Sequence, residues 1–264
     1  MASRRLALVV EYDGTAYAGW QRQPDAPTVQ AVLEETLARI TQAPCTIVGA
    51  GRTDAGVHAL GQVAHGDSAT LLPPDRLQQA LNALLPGDVA VRHVLDVAPD
   101  FHARRDARLR VYRYVVLSRP EPPALLRRYV HHVPGPLDLA AMRDAAALLR
   151  GRRDFAAFRA AGTPTATTVC DVRALGIEPR GRLVIFTVAA DRFLRQMVRR
   201  LVGTLLAVGA GALPPQAAAD ILDARAGARG VPPVPACGLY LVGVRYAPGR
   251  MPEPQGPGRP GPVL

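Results

Sequence analysis

The chain contains no lysine: all 32 of its basic residues are arginine. That absence excludes a Walker-type phosphate loop, which needs a lysine on the phosphates, and every mechanism that passes through a Schiff base. Cysteine is scarce. Cys45, Cys170 and Cys237 are odd in number, far apart and in no metal-ligand spacing, so they read as small core residues rather than a disulfide framework or a zinc site. No apolar run reaches the length of a membrane span, and Met1-Ala2-Ser3-Arg4-Arg5 leads straight into a strand-like segment without the apolar core of a signal peptide. A cytoplasmic location is the expectation.

Charge of one sign dominates what is present. Against 22 acidic residues the arginines give a formal net charge of +10. A GC-rich coding sequence accounts for arginine in place of lysine but not for the excess of positive charge, which points to a polyanionic partner, most simply nucleic acid. Guanidinium groups suit phosphate through paired hydrogen bonds. A length of 264 residues allows one large domain or two of ordinary size.

Apolar runs predict strands at Leu6 to Tyr12, Cys45 to Ala50, Gly61 to His65 and Val89 to Val97. Between them lie helix-like stretches at Val29 to Ile40, with Thr28 placed to cap it, and at Pro74 to Leu85, with proline in the first turn. The second half repeats the order: strands at Arg108 to Leu117, Val169 to Ile177, Leu183 to Ala189 and Leu239 to Tyr246, and helices at Leu139 to Leu149 and Phe193 to Val208. A short extra helix is expected at Pro215 to Ala224. Two split strand-helix-strand units predict an α+β protein with two ferredoxin-like (βαββαβ) halves. These would form a largely antiparallel mixed sheet with helices on one face and a central RNA-binding cleft. The expected division is 1–105, 106–247 and a Pro/Gly-rich tail from Pro248 onward, too poor in apolar residues to pack.

Residues Gly49 to His58, Gly-Ala-Gly-Arg-Thr-Asp-Ala-Gly-Val-His, place one carboxylate, Asp54, in a glycine-punctuated loop after an apolar run. The loop fails as a dinucleotide fingerprint, because Asp54 stands where the third glycine belongs and no helix follows. Asp54 is then either a turn-capping residue or a chemical group with Arg52 two residues away to hold it ionised. From Asp191, helical spacing gathers Phe193, Leu194, Met197, Val198, Leu201 and Leu205 on one face and Arg192, Arg195, Gln196 and Arg199 on the other. That cationic stripe is either a solvated face or a partner for the acid. Tyr112 and Tyr114 share one face of a strand amid arginines, as core residues or as a platform for an extruded base. His131 and His132 are adjacent and in no metal-ligand spacing; a strand there would aim them at opposite faces.

Taken in order from about Leu6 to Tyr246, these segments resemble the tRNA pseudouridine synthase A family. The matching motifs are Tyr12-Asp13-Gly14, Gly19-Trp20-Gln21-Arg22-Gln23-Pro24, Thr28-Val29-Gln30, Gly51 to His58, Leu81-Asn82-Ala83-Leu84-Leu85-Pro86, Tyr112-Arg113-Tyr114, Phe193-Leu194 with Met197-Val198-Arg199, and Gly238 to Val242. The resemblance implies a cofactor-free homodimer that isomerises uridine to pseudouridine at positions 38, 39 and 40 in the anticodon arm of tRNA. Asp54 would be its nucleophile, Arg52 would hold the extruded nucleotide, Tyr112 would stack on the uracil and Arg199 would ion-pair with the acid. It further implies substrate contacts from Gln62, Arg195 and Leu241. Arg105, Arg200 and Cys237 depart from the family pattern. A noncatalytic RNA-binding module and a glycosidase or base-exchange enzyme are the alternatives, the latter opposed by the single carboxylate of the loop.

Overall fold

A computed structural model describes residues 3–162, 165–224 and 230–252. The contacts divide the chain into two compact units: the first runs to Arg108 and takes up the chain again from Leu241, and the second is Leu109–Tyr240. Both are α+β, with strands mostly antiparallel.

In the first unit the elements are β1 (Arg4–Tyr12), α1 (Val29–Thr41), β2 (Ile47–Gly49), β3 (His58–Ser68), α2 (Pro74–Leu84) and β4 (Val89–Asp96). Strand β1 lies between β3 and β4, antiparallel to each, and β2 pairs with the other edge of β3, giving the order β4-β1-β3-β2. The run Leu6 to Val10 is apolar at every position because both faces of β1 are covered. Leu6, Leu8 and Val10 are buried on one face. By the two-residue period of a strand Ala7 and Val9 face the other way, where they join a second cluster of Ala50, Val63, Phe101 and Ala103. Helix α1 starts where Thr28 accepts the Ala31 N–H, and it buries Val29, Leu33 and Leu37 at helical spacing. Helix α2 has Pro74 as its first residue and buries Leu77 and Leu81.

The second unit contains β5 (Leu109–Ser118), β6 (His131–Val133), α3 (Leu139–Leu148), β7 (Gly151–Asp154), β8 (Val169–Arg180), β9 (Leu183–Ala190), α4 (Met197–Gly209) and α5 (Ala217–Leu222). Its strands run β5-β9-β8-β7 with antiparallel pairing, and β6 pairs parallel to β5. Helices α3 and α4 approach closely at Gly209, where a Cβ would lie 2.3 Å from Met142 Sδ. The last strand, β10 (Leu239–Arg245), begins in this unit and carries the chain back to the first.

Four points differ from what the sequence predicts. Helix α4 begins at Met197 rather than Phe193, because Gln196 sits in the left-handed region at φ 62 and Asp191 Oδ1 accepts the Asp171 and Arg192 N–H groups, fixing a loop ahead of the helix. Arg192 and Arg195 therefore belong to that loop and not to a helical stripe. Helix α5 is shorter than Pro215 to Ala224, and the short strands β6 and β7 were not expected. Of the stretch from Pro248 expected not to pack, Met251 packs on the second cluster and Arg250 is bonded to Asp100, while 253–264 lie outside the described residues.

Candidate active site

The loop between β2 and β3 is fixed residue by residue. At its start the Ala50 N–H donates to Val63 O at 2.7 Å. Gln62, fully buried on β3, donates its amide to Gly51 O at 2.8 Å, while its Oε1 accepts from the Gly51 N–H at 3.4 Å and the Val63 N–H at 3.2 Å. Thr53 is held at two atoms: its hydroxyl shares a 2.8 Å bond with the Tyr12 hydroxyl, and its carbonyl accepts the Trp20 N–H at 3.1 Å. A turn follows in which Asp54 O accepts the Val57 N–H at 3.2 Å and Gly56 has φ 75. Gly56 N–H in turn donates to Tyr17 O, and the Gly14 N–H donates to His58 Nδ1 at 3.1 Å. Asp54 is half-buried between these anchored neighbours, and Arg52 is exposed.

Residues 12–30 are the strap that does the anchoring. Strand β1 carries a bulge between Val10 and Tyr12, which re-aims its end toward the loop. Tyr17 donates its hydroxyl to Asp88 Oδ1 at 2.7 Å; burial first, and then that carboxylate, pushes its phenol far above the ordinary range. At Gly19 the backbone passes so close to the loop that a Cβ would lie 2.5 Å from Thr53 O, and its φ of 101 favours glycine independently. Trp20 is 1% exposed and lies over Gly49, where a Cβ would meet its ring at 2.6 Å. The carbonyls of Gly19 and Trp20 accept the Val29 and Gln30 N–H groups, two of the donors that the start of α1 leaves without an intrahelical partner. Beneath lies a polar network: Gln30 donates to Glu34 Oε1 at 2.8 Å and Ile47 O at 3.0 Å, and Glu34 Oε2 accepts from Arg22 Nε at 2.9 Å.

Tyr12, Thr53 and Trp20 are thus positioning residues that reasoning from single motifs passed over. Their signal was present, since the only tryptophan of the chain stands beside a glycine ahead of a capped helix. Gln62, expected to touch substrate, spends both ends of its carboxamide on the loop backbone.

In the second unit Tyr112 and Tyr114 occupy alternate positions of β5. Tyr112 is 8% exposed and meets the Phe193 ring edge-on, with centroids 5.1 Å apart. Tyr114 is fully buried, donates its hydroxyl to Pro235 O at 2.7 Å and packs edge-on to His131, so it serves the core. Arg199, in the first turn of α4, donates Nε to Val234 O at 2.6 Å. Arg195 is exposed, and its carbonyl accepts the Ala160 N–H at 3.0 Å. Tyr112, Phe193, Arg195 and Arg199 accordingly gather near the start of α4. Leu241, on β10, is fully buried.

Chemically, the loop offers one carboxylate on a rigid backbone with an exposed guanidinium two residues away, an arrangement suited to nucleophilic attack or proton abstraction. Among the described residues no group of three or more His, Cys, Asp or Glu side chains could hold a metal ion, and all three cysteines are free. No helix among them is long and apolar enough to cross a membrane.

Comparison with known proteins bears on this geometry. A family described as tRNA pseudouridine synthase matches residues 8–106 and 145–247, which include the Asp54 loop and its strap. The tRNA pseudouridine synthase A of Methylobacterium nodulans is 48% identical over 243 residues, covering 92% of this chain and 96% of that protein. Proteins of the same name from Acetivibrio thermocellus and Myxococcus xanthus are 42% and 47% identical. The first alignment covers 92% of this chain and all of its relative, the second 93% of each.

Proposed function

Since the chain belongs to the tRNA pseudouridine synthase family and is an isomerase acting on tRNA, we propose that it converts uridine to pseudouridine at positions 38, 39 and 40 of the anticodon stem-loop, with Asp54 as nucleophile. The observation that carries this reading is the presentation of Asp54: the residue before it is pinned by Tyr12 and Trp20, and the turn after it is closed on Tyr17.

Isomerisation breaks the bond from C1′ to N1 and makes one from C1′ to C5. A carboxylate oxygen of Asp54 can take C1′ in a covalent adduct or assist elimination from the sugar while the uracil turns. C5 then joins C1′ as the Asp54 oxygen of any adduct leaves with its electron pair, C5 loses its proton and N1 gains one, so atoms and charge balance without a redox step. A uracil inside a stacked arm is out of reach, and the target must be flipped out. In this proposal Arg52 holds the extruded nucleotide, Tyr112 stacks on the uracil, Arg199 pairs with the acid, and Gln62, Arg195 and Leu241 support the bound substrate.

The order β4-β1-β3-β2 with two intervening helices supports reading the first unit as ferredoxin-like, and β5-β9-β8 with α3 supports the same for the second. The RNA would occupy a central cleft. A homodimer and a cytoplasmic location complete the proposal; sedimentation of the purified protein tests the former, with a monomer at working concentration counting against it. Mapping of pseudouridine in unmodified tRNA after incubation with the enzyme tests the position. Modification confined to 38, 39 and 40 is expected, and modification elsewhere would overturn it.

A further inference from the structure

The turn that leads from β4 to β5 is fixed far more tightly than a connection requires. From Phe101 to Asp106 each backbone N–H has an acceptor. Phe101 N–H donates to Ala98 O, His102 N–H to Asp106 Oδ2, Ala103 N–H to His65 Nδ1, both Arg104 and Arg105 N–H groups to His102 Nδ1, and Asp106 N–H to His102 O. Besides His102 O, two further carbonyls are held, Phe101 O by Arg5 and Ala103 O by the Tyr246 hydroxyl at 2.8 Å. Arg5, His65 and Tyr246 come from three separate stretches of the first unit, so the turn is positioned against the sheet itself. What it carries outward is Arg105, which is exposed, with Arg108 exposed three residues on.

Two carboxylates, Asp100 and Asp106, flank Arg105 in the chain and would repel a phosphate. Both are occupied by one residue. Arg250 Nη1 contacts the two oxygens of Asp100 at 3.1 and 3.0 Å, and its Nη2 bonds Asp106 Oδ2. Charge-assisted, paired contacts of this kind hold geometry as well as charge. Tyr246 and Arg250 both follow β10, so this short return of the chain braces the turn and offsets part of the charge of its acids.

We propose that the turn Phe101–Asp106 is an RNA-backbone contact, made through Arg105, and that Arg250 is its positioning residue. The proposal rests on the reading of the substrate as tRNA. Arg250 offsets part of the negative field of Asp100 and Asp106 and keeps the turn preorganised, so that ordering Arg105 costs little on binding.

The test compares the full chain with Arg105→Ala, Arg250→Ala and the double variant, measuring KM and kcat on unmodified tRNA over a salt series. Arg105→Ala, a surface change that leaves the brace intact, is expected to raise KM about three- to tenfold with kcat unchanged and to make the salt dependence shallower by about one. Arg250→Ala is expected to raise KM in the same range, and the double variant to lie well short of the product of the two effects, since both act on one contact. A wild-type KM and salt slope in Arg105→Ala overturns the contact. Fully multiplicative effects in the double variant overturn the positioning role, because a purely structural Arg250 would act whatever stands at residue 105. If the wild-type chain itself fails to act on tRNA, the underlying reading of function falls instead.

Discussion

The hydroxyls of Tyr12 and Thr53 share a buried 2.8 Å hydrogen bond that ties the end of β1 to the residue before Asp54. Tyr12→Phe leaves the Thr53 hydroxyl without that partner and loosens one of the two points that hold Thr53. The expected cost is about 1–2 kcal/mol of stability, read by denaturant unfolding. Because reacting groups tolerate little displacement, single-turnover conversion should fall about ten- to a hundredfold while tRNA affinity is kept. An unchanged rate would show that Asp54 does not depend on this tie.

Close approach at Gly19 predicts a second effect. A methyl group there would meet Thr53 O at 2.5 Å on a backbone of φ 101, so Gly19→Ala is expected to cost about 1–3 kcal/mol and to reduce activity further than the stability loss explains. Gly87→Ala is the control. Nothing lies within 4 Å of a Cβ at that position, and its unfolding midpoint should match the wild type.

Acid sensitivity follows from the histidines. His65 and His102, with ring centroids 4.6 Å apart, are both held below the ordinary value of 6.5, chiefly by burial and then by the neighbouring positive charge, that of His102 for His65 and of Arg105 for His102. As pH falls below 6.5 the unfolded chain takes up protons that the folded chain resists, so stability is complete above that value and declines beneath it. Carboxylates add a second decline below 3.8: Arg5 holds Asp67 under its ordinary value by a hydrogen bond, and at Asp106 the upward push of burial is outweighed by the His102 N–H and Arg250. Unfolding followed from pH 7 to about pH 5 checks the first decline. His102→Asn keeps an acceptor for Arg104 and Arg105 but does not titrate, and should make the decline shallower while His65, His93 and His131, all lowered chiefly by burial, keep their share; an identical slope in that variant would contradict the assignment.

Most elements were legible because each carries a local signal. The apolar runs of β1, β4 and β9, the Thr28 cap of α1 and the proline at the start of α2 all fall within a residue or two of their observed bounds. The Asp54 loop was legible from its glycines. What escaped reading depends on side chains that override periodicity. Phe193 and Leu194 are in helical register with α4, yet the Asp191 carboxylate captures nearby N–H groups and Gln196 turns left-handed, so the helix waits until Met197. Strand β7 reads Gly-Arg-Arg-Asp, with no apolar alternation, and is held by pairing with β8. For Gln62 the sequence shows a polar residue on a strand but not that its carboxamide completes the backbone of Gly51. Arg250 lay hidden in a Pro/Gly-rich composition whose average says nothing of one guanidinium meeting two carboxylates.

The central claim is that Asp54 performs the chemistry. The measurement is tritium release from unmodified tRNA carrying 5-³H-uridine, with the wild-type protein and Asp54→Asn side by side and tRNA binding followed for both. Release by the wild type alone, with both proteins binding tRNA, is the predicted result. Release at comparable rates from Asp54→Asn would contradict the account.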